Sequence, residues 1–248
     1  MKTAEYGRLL FGLSAVVCGI VGLMWHDSVL WQVAHMTPIL LSTPVAWCLA
    51  LAQVGGGLGI ALPRSARSSA IALGVVYALF TLSSVPGMIA APADPGSYVN
   101  FFEQLSLVCG AFAVFAVTAA RLGLGVCTLS FAWAQVVYLQ YTASLVPTWI
   151  PPSQVFWTIL TTIAFALAAI AMLINVRAVL AMQLMALMMA LFGILVWVPR
   201  IIAQSSNLSN WSEIAENYLM TGAALLVAAY LGGWRISSGP SSEVGQPE

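Results

Sequence analysis

Stretches of about twenty apolar residues recur along this chain, separated by short breaks that hold most of its polar groups. Eight such stretches cover residues 7–25, 44–62, 70–90, 101–120, 123–141, 153–174, 178–197 and 215–234. They are apolar on every face. A membrane β-barrel would instead alternate apolar and polar residues with a period of two. A bilayer core of about 30 Å takes about 20 residues of helix, and backbone in lipid must satisfy its own polar groups. The pattern predicts an all-α fold, a polytopic transmembrane helix bundle of eight helices.

The positive charges test that count. Lys2 and Arg8 accompany the start of the first stretch, Arg64 and Arg67 lie between the second and third, and Arg121 between the fourth and fifth. Arg177 lies between the sixth and seventh, and Arg235 follows the eighth. With eight spans, these seven of the eight Lys/Arg fall on one side. The positive-inside rule makes that side cytoplasmic, together with both termini. Arg200 is the exception. Asp27, Asp94, Glu103, Glu213 and Glu216 gather on the opposite side. Trp25, Trp31, Trp47, Trp149, Trp197 and Trp211 fall near that outer boundary, as an interfacial aromatic belt does. The first stretch is followed by Trp25-His26-Asp27 rather than by small residues, so it reads as an uncleaved helix. Residues 236–248 are polar and lack aromatics, the composition of a disordered tail.

Composition narrows the function classes. The chain of 248 residues is 61% hydrophobic and 6% charged, with a mean hydropathy of +0.96. A soluble domain carries roughly 25% charged residues. A net charge of zero gives a nucleic acid nothing to bind, which leaves the lipid bilayer as the implied partner.

The second half echoes the first. Val85-Pro86 and Val198-Pro199 each end a stretch, because proline cannot donate the next helical hydrogen bond. Asn100-Phe101-Phe102-Glu103 and Asn210-Trp211-Ser212-Glu213 share the form Asn-aromatic-x-Glu, 110 residues apart. Pro44 with Trp47 and Pro151-Pro152 with Trp157 open the second and sixth stretches. An even number of helices per unit gives both units one orientation, so the repeats are parallel. This predicts a first four-helix repeat at 1–122, a second at 123–235 and a cytoplasmic tail at 236–248, with the boundary at Arg121-Leu122-Gly123. Asn at a helix start accepts a free N–H, and Glu there meets the positive end of the dipole. The two motifs are therefore helix caps, or alternatively carboxylates lining an outward vestibule.

Polar residues within spans are costly in lipid and mark contacts or sites. Gln53 sits in Gln53-Val54-Gly55-Gly56-Gly57-Leu58-Gly59, where Gly55 and Gly59 make a small-xxx-small pair for close helix approach. Thr161 and Thr162 lie at the corresponding level of the sixth stretch. Gln135 and Tyr138 share a face of the fifth, which also carries Trp133. These spans hold no acidic residue at depth, which disfavours ion-coupled transport. Cys18, Cys48, Cys109 and Cys127 form no CxxC pair and read as separate buried thiols. His26, Asp27 and His35 are a weak metal pattern, so no metal site is expected, and the chain holds no phosphate loop or nucleophile elbow.

Gly22-Leu23-x-x-x-Asp27 with Trp31-Gln32-Val33, the glycine-rich stretch from Ala52 to Leu58, and Thr142-Ala143-Ser144-Leu145-Val146-Pro147-Thr148-Trp149-Ile150-Pro151 with Trp157 resemble the DoxX-like family of bacterial integral membrane proteins. Simple members have four helices, so the chain resembles a doubled version. The resemblance implies the bacterial inner membrane. Some relatives accompany quinol or thiosulfate oxidation, but many members place Glu where this chain has Gln53.

These readings lead to a non-catalytic membrane protein that binds or carries a small apolar molecule or a partner subunit, with no catalytic residues and no required cofactor. One alternative is a quinone-contacting subunit of a membrane oxidoreductase, using Trp133, Tyr138, Gln53 and Gln135. Another is a small-molecule transporter. The candidate outer-side polar site is Asp27, Trp31, Glu103, Arg200, Glu213 and Glu216, with Arg200 as counter-ion. Gln53, Gln135 and Tyr138 are the candidate contacts inside the membrane.

Overall fold

The computed structural model describes residues 2–24 and 43–233, and every regular element within them is helical. In order these are α1 (Lys2–Met24), α2 (Thr43–Ala61), α3 (Ala66–Ser83), α4 (Val85–Ala90), α5 (Gly96–Phe112), α6 (Val117–Val137), α7 (Leu139–Leu145), α8 (Gln154–Leu173) and α9 (Ala178–Phe192). A π turn (Gly193–Trp197), α10 (Val198–Ala203) and α11 (Leu208–Leu231) complete the bundle. Seven helical segments among the described residues are long and apolar enough to cross a membrane, so the chain is a multi-pass membrane protein. They are α1, α2, α3 with α4, α6, α8, α9 through α10, and α11. The fourth expected span, α5, has 17 residues and carries Asn100, Glu103 and Gln104, which leaves it short of the other seven.

Large apolar side chains face outward all round, Leu51, Leu167 and Leu184 among them, as the solvent of a lipid-embedded bundle demands. Interior helices touch through small residues instead. A Cβ on Gly12 of α1 would stand 2.6 Å from the carbonyl oxygen of Gly57 on α2, and one on Gly222 of α11 would stand 2.6 Å from the backbone nitrogen of Phe11 on α1. The close glycine contact of α2 therefore differs from the one its spacing suggested. Gly55 has nothing within 4 Å, while Gly56 faces Leu73 and Gly59 faces Ser69 on α3.

Features of the first half recur in the second. The N–H of Gly96 donates to the Asp94 carboxylate at 3.0 Å, and 113 residues later the N–H of Ser209 donates to the Asn207 side chain at 3.0 Å. The Tyr98 hydroxyl donates to Pro92 O at 2.9 Å, and its counterpart at the same offset, the Trp211 indole, donates to Ser205 O at 2.9 Å. Arg8 and Arg121, also 113 apart, are both buried. The packings α1–α2, α2–α3 and α3–α5 have counterparts in α6–α8, α8–α9 and α9–α11. At this offset Glu103 matches Glu216 and Gln104 matches Asn217. The Asn-aromatic-x-Glu motifs, 110 apart, are therefore out of step with the backbone.

Three helix boundaries depart from the hydropathy reading. The turn after α5 is residues 113–116, so Arg121 stands inside α6 rather than at the junction of the halves. Ala113-Val114-Phe115-Ala116 contains no polar or glycine residue, and an apolar window runs straight through it. The Arg121 guanidinium donates to the carbonyls of Met172 and Leu173 at the end of α8, placing positive charge at the negative end of that helix. Pro86 and Pro199, read as stops, each occupy the first turn of a new short helix, where proline's missing N–H costs nothing.

The two prolines interrupt their helices differently. Before Pro86 the chain breaks at Ser84. Before Pro199 it widens into the π turn, with Val198 N–H bonding to Gly193 O. The turn absorbs one residue. Buried Ala66, Ala70, Leu73, Gly74 and Tyr77 of α3 match buried Ala178, Met182, Met185, Ala186 and Met189 of α9 at an offset of 112, whereas α4 and α10 match at 113.

Candidate functional site

Helix α5 begins at Gly96 and α11 at Leu208, each earlier than the apolar stretches that signalled them. The reason lies in their polar first turns, which hydropathy trims away. Asn207 caps α11, and Asp94 bonds the first N–H of α5. Asn100 and Asn210 are thus inside helices and do not serve as caps. Glu103 lies about two turns into α5, and Glu213 and Glu216 lie about one and a half and about two turns into α11.

These carboxylates meet in a cavity of about 510 Å³, in the size range of small-molecule sites, roughly 300–1,000 Å³. Its walls are helices α6, α8, α9 and α11 with the π turn, and α5 contributes Val99 and Glu103. α7 and the segment after it roof the space with Tyr141, Leu145, Val146 and Ile150. The lower walls are aromatic and sulfur-rich: Phe131 and Phe165 pack edge to face at 6.0 Å, Phe165 and Phe192 at 6.2 Å, and Met189 and Met220 adjoin them. The position of Met189 in α9 is that of Tyr77 in α3, a larger side chain with no exposure. This exchange, with the extra residue of the π turn, fits the cavity's place in the second half.

Glu103, Glu213 and Glu216 all line the space. Glu103 and Glu213 are close enough to repel, and Arg200 attracts Glu213. The Arg200 guanidinium stacks 5.3 Å over the Trp197 ring. Glu216 is 2% exposed and accepts a hydrogen bond from the Gln104 amide of α5. Deeper along α6, the Gln135 carbonyl accepts from Thr162 at 2.8 Å and Thr161 at 3.3 Å. At the rim the Tyr138 hydroxyl donates to Asp94 at 3.2 Å. Local desolvation and the Asp94 charge push this phenol above its ordinary range and keep it a donor.

Of the candidate outer-side site, the structure brings together Glu103, Glu213, Glu216 and Arg200. Asp27 and Trp31 lie outside the described residues, as do His26, His35, Arg235 and the tail at 236–248. Of the intramembrane candidates, Gln135 and Tyr138 line the cavity, whereas Gln53 is fully buried in the other half with neither amide atom bonded. Trp133 is 61% exposed and does not line the cavity. The polar-aromatic set suggested for a quinone is therefore dispersed. Against the expectation that no acidic residue lies at depth, Glu216 stands within α11, a helix long and apolar enough to cross a membrane.

Sequence reasoning missed Gln104 and Asn217. The 113-residue offset, once recognised, would have flagged both. It also missed the approach of the Cys109 thiol of α5 to the Cys127 thiol of α6, since nothing in the spacing of single cysteines reports a contact between helices. Among the described residues no cluster of His, Cys, Asp and Glu could hold a metal ion.

Comparison with protein-family models, with curated proteins and with solved structures finds no match for this chain.

Proposed function

We propose that this chain is a DoxX-like protein of the bacterial cytoplasmic membrane that binds a small, largely apolar molecule in the cavity between α6, α8, α9 and α11 without transforming it. The observation that carries the reading is the cavity itself, a space of about 510 Å³ with aromatic and methionine walls and a few polar groups at one end. Such a partition suits a ligand with an apolar body and a polar head. The proposed architecture is two parallel four-helix repeats with α5 as the eighth span, and both termini cytoplasmic. The recurring hydrogen bonds at α5 and α11 and the paired helix packings support the duplication.

The test is to identify what copurifies with the full chain in mild detergent, by mass spectrometry, beside Met189→Trp, which fills the cavity. A small molecule retained by the wild type and lost from the variant is the expected result. Identical extracts from both, with the variant's thermal unfolding unchanged, would remove the proposal.

Transport of that molecule is the second reading, favoured by Glu216, a buried carboxylate inside α11. Accumulation of the copurified molecule in proteoliposomes tests it, and rates equal to those of empty liposomes would leave binding alone.

A further inference from the structure

We infer that the ligand of this cavity is a lipophilic ammonium, an organic amine whose apolar body lies against Phe131, Phe165 and Phe192 while its charged nitrogen sits between Glu103 and Glu213. The inference rests on the binding reading above and names its ligand class.

Glu103 and Glu213 face one apolar space, and Arg200 is the cation among the described residues that acts on this pair, through Glu213. It also stacks on Trp197. Among the described residues these two acids thus share one cationic neighbour, in surroundings of low dielectric where a further positive charge is strongly attracted.

Hydrogen bonding points the same way. Several donors of the wall are already spent within the protein: the Trp157 indole on Pro151 O at 2.9 Å, the Thr158 hydroxyl on Gln154 O at 3.0 Å, and the Tyr138 hydroxyl on Asp94. Gln104 is spent on Glu216. The Glu103 and Glu213 carboxylates receive no hydrogen bond from any described residue. Beside them Asn217, 6% exposed, buries a side-chain oxygen with no partner. Acceptors are thus in excess where the acids converge. An ammonium supplies both the positive charge and two or three N–H donors. A neutral hydroxyl supplies one donor and no positive charge. A quinone, which only accepts, supplies neither.

The shared chemistry, ammonium on an apolar body, occurs both in free amines and in aminophospholipid head groups. The experiment is equilibrium dialysis of the full chain in phosphatidylcholine nanodiscs, with empty discs subtracted. The probes are 2-(2-naphthyl)ethylamine, the matching alcohol and the matching carboxylate. Charge-assisted hydrogen bonds imply that the amine binds about tenfold or more tighter than the alcohol, with the carboxylate weakest. Glu103→Gln should erase most of that preference while leaving alcohol binding in place. Arg200→Gln, which removes the competing cation beside Glu213, should strengthen amine binding severalfold, a gain that a misfolded protein cannot mimic. Phosphatidylethanolamine added to the discs separates the sources: competition with the naphthyl amine assigns a lipid head group, and no competition assigns a free amine. Equal binding of amine and alcohol, or weaker amine binding in Arg200→Gln, would overturn the ammonium assignment and leave the cavity's binding role standing. Failure of both amine and alcohol to bind would overturn the two together.

Discussion

Gln53 is a costly side chain in the first half. It is fully buried in α2, and neither its amide nitrogen nor its oxygen has a partner. Leaving a buried amide unbonded costs roughly 1–3 kcal/mol, and leucine fills nearly the same volume. Gln53→Leu should therefore raise stability by about 1 kcal/mol, read as a higher unfolding midpoint in detergent. A lower midpoint would mean that the amide is bonded in the native membrane, by water or by a ligand. Gln104 differs in that its amide N–H is bonded to Glu216, which ties α5 to α11, although its buried carbonyl oxygen has no partner. Both glutamines are buried polar groups in apolar helices, and only the identity of the opposing residue separates a liability from a tie.

At the scale of elements, the π turn matters most. It holds one more residue than the matching stretch of α3, and it presents Leu195, Val196 and Trp197 to the cavity. Deleting Ile194, which is 51% exposed, should restore an α-helical path while α10 and α11 keep their packing. The expected outcome is a protein that unfolds within a few degrees of wild type and binds the naphthyl amine at least about tenfold less well, since each tenfold is about 1.4 kcal/mol of lost contact. Unchanged binding would show that the turn does not shape the site. Helix existence was legible from apolar runs, and α1, α2, α8 and α9 fall close to the stretches that signalled them. The starts of α5 and α11 were not, because Gly96 to Asn100 and Leu208 to Ser212 are too polar for a hydropathy window. The helices nevertheless continue through them, held by Asp94 and Asn207. That one displacement moved Glu103, Glu213 and Glu216 from the boundary into the interior. Their chemistry was visible in the sequence, whereas their depth and their convergence were set by tertiary packing.

The whole molecule is organised by packing that crosses between its halves. α1 packs most extensively on α11 and on α2, while α6 packs on α8 and on α5. Charge gives the bundle a direction: the turns at 62–65 and 174–177 carry Arg64 and Arg177, and the Glu cluster lies toward the end where α7 and α10 sit. By the positive-inside rule, an enzyme reporter active only in the cytoplasm should give signal when fused after residue 248. A signal seen only with a periplasmic reporter would invert the topology and the proposed exposure of the cavity with it.

The contact between α1 and α11 has a consequence for how the protein is made. Chains emerge from the ribosome N-terminus first, so α1 reaches the membrane well before α11, on which it packs extensively. Gly7 meets Leu225 and Phe11 meets Gly222 in the finished bundle, and both contacts wait until α11 has followed the helices between them. Through that interval α1 leans on α2 through the close backbone approach of Gly12 and Gly57, and then on α3, where the Phe11 ring meets Tyr77 edge to face at 6.1 Å.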